Sequence, residues 1–231
     1  MPGPGFRLMT VNLFSRWVDA ADFARAIDLY RPDVLVAQEL APEAAKVIAS
    51  SFPVHVLSPD IAYSGWGMAS QLPAVISEDR PGWGRGGHGR IEVGNEVVNL
   101  ATVHILDPMH LPLRRTRARR VDQVDSLLEW GDQLPPNEAQ VVAGDFNATP
   151  RWPVYRRLAD RWDDLVVEAA RTSGTRPPST WGPPRGPRLL RIDHVLGTGV
   201  TASNVAVEPV RGSDHSALVI DLEPKTSNLR Y

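Results

Sequence analysis

Residues 141–150 read Val-Val-Ala-Gly-Asp-Phe-Asn-Ala-Thr-Pro, and no other stretch limits the fold as tightly. An apolar run meets a glycine, then two polar side chains on alternate positions, then a turn signal. In an extended chain residues i and i+2 share a face, so Asp145 and Asn147 project together while Phe146 returns to the core. Gly144 permits close backbone approach just before them. The pattern predicts a buried strand that carries a carboxylate and an amide to a sheet edge. An Asx-rich strand end that only starts a turn explains the same letters.

A carboxylate that orients water, beside an amide that donates to an anionic oxygen, suits hydrolysis of a phosphate ester. Similar strand ends recur along the chain. Residues 8–13 form an apolar strand holding Asn12, residues 34–37 a buried strand leading to Gln38-Glu39, and residues 97–105 a strand ending Thr-Val-His at His104. A hairpin joins 91–93 to 97–105 through Gly94-Asn95-Glu96. Further strands are expected at 54–57, 72–77, 189–196, 205–210 and 217–222. Helices are expected at 18–30, capped by Ser15 or Asp19 and stopped by Pro32, at 42–50, at 113–130 with Val121, Val124, Leu127 and Leu128 on one face, and within 153–159. Segment 64–67 and the glycine-dense 82–89 read as loop and turn, and 175–188 as a long irregular loop. Strands outnumber helices and many adjoin as hairpins, which favours two sheets packed face to face with helices outside over a doubly wound parallel sheet.

The length of 231 residues suits a single domain over 1–231 with a loosely held tail at 225–231. With no cysteine there is neither a disulfide framework nor a Cys-type zinc site. The N-terminus lacks a basic start followed by an apolar stretch, and no run approaches bilayer length. These features set the expectation of a soluble, cytoplasmic protein with no membrane partner. A net charge of −2 supplies no overall positive field, so nucleic-acid contact would require a local patch. Oligomeric state stays open.

Taken in order, Thr-Val-Asn (Asn12), Gln-Glu (Glu39), Thr-Val-His (His104), Gly-Asp-Phe-Asn (Asp145, Asn147), Ser-Thr-Trp with Arg-Ile-Asp-His (Asp193), and Gly-Ser-Asp-His-Ser (Asp214, His215) resemble the motifs of the endonuclease/exonuclease/phosphatase superfamily. The resemblance spans residues 10–216. It implies a four-layered α/β sandwich (DNase I-like), two packed, mainly antiparallel β-sheets flanked by helices, and a metal-dependent hydrolase of phosphate esters. It places Glu39, Asn12 and Asp214 at a divalent cation, and all-oxygen ligands favour Mg²⁺ or Mn²⁺. It pairs His215 with Asp193 at the scissile phosphate, as general acid or as fixed positive charge. Asp145 would orient or deprotonate the attacking water, Asn147 would stabilise the pentacovalent phosphorus, and His104 would contact the phosphate or protonate the leaving oxygen. Taken singly, Asn12 can satisfy a strand end, Glu39 a helix N-terminus, and Asp193 an ordinary buried ion pair.

Two places depart from the family. Several nuclease relatives carry an acid two places after the first Asn, where this chain has Phe14; and many end the middle strand in Ser-Arg, where this chain has Ile-Ser-Glu-Asp-Arg, leaving the roles of Ser77, Glu78 and Arg80 open. Arg114, Arg115, Arg117, Arg119 and Arg120 open the long helix. At about 100° per residue they cannot share a face; one subset can meet nucleic-acid phosphates while another solvates the helix beside Asp122 and Asp125. Trp66, Trp83, Trp152 and Trp181 fall in or beside loops, where they can stack on a substrate or plug the sandwich ends. His55, His88, His110 and His194 read as structural or surface residues. The leading function is a phosphodiesterase, including nucleases; the alternatives are a phosphomonoesterase, a specialised metabolite-processing enzyme reusing the site, and a non-catalytic binding module, disfavoured because every motif residue is intact.

Overall fold

The computed structural model describes residues 4–79, 81–109, 112–183 and 186–226. Arg80, His110 and the tail from 227 onward lie outside them, as do two positions of the 175–188 loop. Among the described residues, twelve strands alternate with five helices in the order β1 (Phe6–Asn12), α1 (Ala20–Tyr30), β2 (Val34–Gln38), α2 (Pro42–Ser51), β3 (Val54–Ser58), β4 (Trp66–Ser70), β5 (Ala74–Ile76), β6 (Gly86–Val93), β7 (Glu96–His104), α3 (Leu113–Gln133), β8 (Ala139–Asp145), α4 (Pro153–Ala159), β9 (Asp163–Asp164), α5 (Leu165–Thr172), β10 (Asp193–Thr198), β11 (Val200–Pro209) and β12 (Ser216–Pro224).

The strands form two six-stranded sheets, β11-β12-β1-β2-β4-β3 and β5-β6-β7-β8-β10-β9. Each is antiparallel except for one parallel pair, β1 with β2 and β7 with β8. The central strands are buried on both faces, which is why they read as unbroken apolar runs. Alternate residues of β1, β2 and β8 serve different layers: Leu8, Val34, Val36, Val141 and Ala143 fill the space between the sheets. Met9, Val11, Leu35 and Ala37 turn to α1 and α2, while Val142 turns to α3 and α4. The architecture is the expected four-layered sandwich.

Three local expectations fail and one helix goes unread, each for a tertiary reason. Of segment 64–67 only Ser64 and Gly65 are loop, since Trp66 to Ser70 form a fully buried strand between β2 and β3. Gly67 hides it, because a Cβ there would lie 2.8 Å from Leu57 and 2.9 Å from Leu40. The 82–89 turn likewise contains the start of β6, with the Trp66 ring packed where a Gly87 Cβ would stand, 2.2 Å away. Val121 is 42% exposed; the buried stripe of α3 is instead Thr116, Arg120, Val124, Leu127 and Gly131. Helix α5 has no clear signature in the sequence, being short and valine-rich, yet Asp164 caps it by accepting from Val167 N at 3.0 Å, and Leu165, Val166 and Ala169 join the inter-sheet core.

Candidate active site

Parallel pairing sends β1, β2, β7 and β8 out of the core in one direction, and the antiparallel β10 and β12 begin at that same edge. The register sets the strand ends side by side: Asp145 is paired with His104 on one flank and Asp193 on the other, and Asn12 is paired with Gln38 in the facing sheet. Side chains distant in sequence therefore meet. Asn12 Nδ2 donates to Glu39 Oε1 of its own sheet (3.1 Å) and across to Asp145 Oδ2 of the other (3.0 Å). His215 Nδ1 is held by Asp193 Oδ2 at 2.9 Å, and its Nε2 lies 3.8 Å from Asp145 Oδ2 and 3.9 Å from Asp214 Oδ1. His104 Nε2 stands 3.6 Å from Glu39 and 3.7 Å from Asp145.

Asn147 reaches the cluster by a turn, not by continuing the strand. Its φ of 46° is left-handed, its backbone N–H donates to Asp145 Oδ1 at 2.7 Å and its Nδ2 to Asp145 Oδ2 at 3.1 Å. Both readings of Gly-Asp-Phe-Asn are thus present together, an Asx-type turn and a shared carboxylate–amide face. Glu39, at φ 50°, leaves β2 in the same conformation. Such strain, of order 1 kcal/mol each or more, clusters where a backbone is forced to aim a side chain.

Burial sets the charge states. It pushes the Glu39 and Asp145 carboxyls up, the neighbouring His215 opposing both shifts. Burial drives His104 down to about 3, helped by Arg85 and His215, so this imidazole is neutral. Burial also disfavours a charged His215, but Asp193 and Asp145 outweigh it and raise the group to about 9. His215 is therefore the imidazolium of the cluster at neutral pH.

Glu39 Oε2, Asp214 Oδ1 and His104 Nδ1 are buried without a hydrogen-bond partner. Atoms of Asp145, Asp193 and His215 also lie within 4.8 Å of one another, close enough to share an ion. In that second group His215 Nδ1 is already engaged by Asp193, so the unsatisfied oxygens of Glu39 and Asp214 are the better donors for a hard cation. The site fits a divalent ion. Asn12 differs from expectation in that its Oδ1 accepts from Phe14 N (3.0 Å) while its Nδ2 bridges carboxylates.

All eight predicted site residues line or adjoin this one edge, and six of them border a cavity of about 570 Å³. The arginine cluster divides. Arg114, Arg115, Arg117 and Arg119 are exposed, whereas Arg120 is withdrawn into the protein, with Nη2 on Asn147 O (3.1 Å) and Nη1 on Leu106 O. It is removed from any nucleic-acid patch. The tryptophans divide as well: Trp152 and Trp181 line the cavity, but Trp66 and Trp83 are core residues, Trp83 Nε1 donating to Thr102 O at 3.1 Å. Phe14 lines the cavity. His194 is structural, bonded to Ala148 O at 2.8 Å.

Sequence reasoning includes Thr180, Trp181 and Ser213 in its motifs but misses that they, with Arg188, hold the loops. Thr180 Oγ1 accepts from Asp193 N (3.2 Å), Trp181 Nε1 donates to Asp214 Oδ2 (2.9 Å), and Arg188 grips Ser213 O (3.2 Å), His215 O (3.1 Å) and Ser216 Oγ (2.9 Å). Ser213 Oγ donates to Asn12 O at 2.7 Å. It misses Arg85 too, among the described residues the one basic side chain besides histidine on the cavity wall; the flanking glycines were the available signal.

Among solved structures, a functionally unknown conserved protein from Enterococcus faecalis V583 superposes with a TM-score of 0.70 at 16% identity, over 95% of this chain and 100% of that one. The human Nocturnin catalytic domain with bound sulfate anion gives 0.70 at 17% over 96% of each chain. Humanized D. rerio TDP2 gives 0.69 at 19%, over 95% and 99%. These likenesses establish the fold. The uncharacterized protein YbhP of Escherichia coli K12 is 34% identical over 130 residues, 52% of this chain and 46% of its own; the match spans about half the length of that relative. The sequence profile of the Endonuclease/Exonuclease/phosphatase family matches residues 9–215. That match takes in all eight of the site residues gathered at this edge, and the chain belongs to the endonuclease/exonuclease/phosphatase family.

Proposed function

We propose that the chain is a Mg²⁺- or Mn²⁺-dependent phosphodiesterase that hydrolyses its substrate by in-line attack of water. The observation that carries this reading is the pairing of a buried imidazolium, His215 on Asp193, with the carboxylate of Asp145 less than 4 Å away. Two titrating groups of opposite task stand side by side, one holding a proton and the other able to accept one. Glu39 and Asp214 would hold the cation, with Asn12 joining if its amide turns. A bound divalent ion would neutralise phosphate oxygens and the leaving group. Asp145 orients the water, Asn147 Nδ2 would donate to the phosphorane oxygens by giving up its bond to Asp145 Oδ2, and His215 supplies positive charge and the proton for the leaving oxygen. His104, neutral, contributes a hydrogen bond, not that proton.

Nuclease action is part of the proposal. A D. rerio TDP2 structure of the same fold holds a single-strand DNA product, and the four exposed arginines of α3 offer phosphate contacts. A specialised small phosphoester is favoured by a different observation: Phe14, Tyr63, Trp152, Trp181 and Leu190 give the cavity an apolar rim. A cytoplasmic location is likewise a proposal, checked by cell fractionation. The functional test is a panel of bis-p-nitrophenyl phosphate, p-nitrophenyl phosphate and plasmid DNA with Mg²⁺, Mn²⁺ or EDTA. Diester cleavage lost with EDTA and with His215→Ala supports the proposal; cleavage of monoesters alone overturns it in favour of a phosphomonoesterase.

A further inference from the structure

The buried stripe of α3 contains one residue out of character, Arg120. Withdrawing a guanidinium from water is costly, and burial lowers its proton affinity, although Asp145 and Asp107 oppose the shift. Its hydrogen bonds go not to a carboxylate but to two backbone carbonyls, those of Leu106 and Asn147. Both lie just beyond the ends of β7 and β8, the adjacent parallel strands that deliver His104 and Asp145. A single side chain thus ties together the two loops on which half of the site is built.

One turn further along α3, Gln123 completes the arrangement. Its Oε1 accepts from Leu106 N at 2.9 Å, and its Nε2 donates to Trp83 O (3.0 Å) and His104 O (3.3 Å). Asn147 Nδ2 adds a bond to Ile105 O at 3.0 Å, and Ile105 N donates to Asp145 O at 2.9 Å. The backbone from His104 to Leu106 is therefore held at every residue, and part of what holds it also touches the loop of Asn147. That residue sits at φ 46°, in the small left-handed region that asparagine enters more readily than most residues, and these bonds fix it there.

We propose that Arg120 is a positioning residue, which with Gln123 clamps the loops after β7 and β8 so that His104 and Asn147 face the substrate phosphate at fixed separation. This rests on the phosphodiesterase reading for its effect on rate, but not for its effect on the loops. Arginine is required because its planar fork reaches two carbonyls at once, which a lysine ammonium on a single stem does not.

The test uses the full chain carrying Arg120→Lys, with bis-p-nitrophenyl phosphate and Mg²⁺ and with amide hydrogen exchange. The clamp predicts that kcat falls by about 10- to 100-fold while KM stays within about twofold. It also predicts that adding Arg120→Lys to Asn147→Ala costs clearly less than the product of the two single losses, since the share of the clamp that acts through Asn147 is already gone. Exchange should accelerate at Leu106 and Asn147 while Val142 and Leu196, inside β8 and β10, keep their protection. Gln123→Leu, which alters no charge, should loosen Leu106 in the same way. Multiplicative rate losses, unchanged exchange at both loops, or a uniform loss of protection across the sheets would each overturn the clamp. If the wild-type chain cleaves no diester, the functional proposal fails, and the exchange measurement still decides the clamp.

Discussion

His215 has carboxylates of Asp193, Asp145 and Asp214 within 4 Å, and its chemistry follows from that imbalance. An imidazole raised to about 9 from an ordinary value of about 6.5 favours the folded state while protonated. That stability is fully present below about pH 6.5 and is lost as pH rises through 9. The raised Asp145 carboxyl, at about 7, acts in the same direction but at lower pH, so the cation-free protein should lose urea resistance first between about pH 4 and 7 through Asp145 and then between about pH 6.5 and 9 through His215. Asp193→Asn should move the His215 ring titration, followed by NMR, well below 9; a midpoint unchanged by the substitution would dissociate the pair. At Asp145, substitution by Asn should lower kcat on the order of 10²- to 10³-fold with little change in KM, because the group acts on the attacking water and not on substrate affinity.

Among elements, the strand ends depend on glycines that let neighbouring backbones touch. Gly144, at φ 144°, would place a Cβ 2.1 Å from Val103 O in the adjacent parallel strand. Gly144→Ala should therefore destabilise by roughly 2–4 kcal/mol in urea titration, and should shift His104 relative to Asp145, since the two are paired next to that approach. A loss below about 0.5 kcal/mol would show that β7 and β8 separate freely. On α3 the exposed arginines make a separable prediction. Replacing Arg114, Arg115, Arg117 and Arg119 with Gln should leave cleavage of bis-p-nitrophenyl phosphate within about twofold. It should also flatten the salt dependence of any DNA binding by about one unit of slope for each phosphate no longer neutralised. An unaltered slope would leave the helix as a solvated face.

For the whole molecule, the site is where two sheets meet, so its ion is linked to the stability of the sandwich. Glu39 hangs from one sheet and Asp145 from the other, bridged by Asn12. A cation that satisfies Glu39 Oε2 and Asp214 Oδ1 binds only the folded arrangement and should raise Tm with concentration, by the logarithmic law of linkage. Mg²⁺ or Mn²⁺ should raise Tm reversibly, EDTA should cancel the rise, and Glu39→Gln should abolish most of it; an equal rise in that variant would move the ion elsewhere.

The sequence by itself determined the layered sandwich and the set of motif residues, because apolar runs, turn chemistry and the strand-end positions of Asn12, Glu39, His104 and Asp145 are local patterns that any fold must respect. It could not show that Trp66 sits in a central strand, since Gly65 and Gly67 resemble loop residues until Leu40 and Leu57 are seen packed against them. Nor could it separate Arg120 from its four arginine neighbours, because helical phase alone does not say which turn meets a carbonyl. Tertiary structure alone decided the protonation of His104 and His215 and the left-handed turn at Asn147. Those depend on burial and on charges carried by residues far away along the chain, and neither exists until the two sheets have closed.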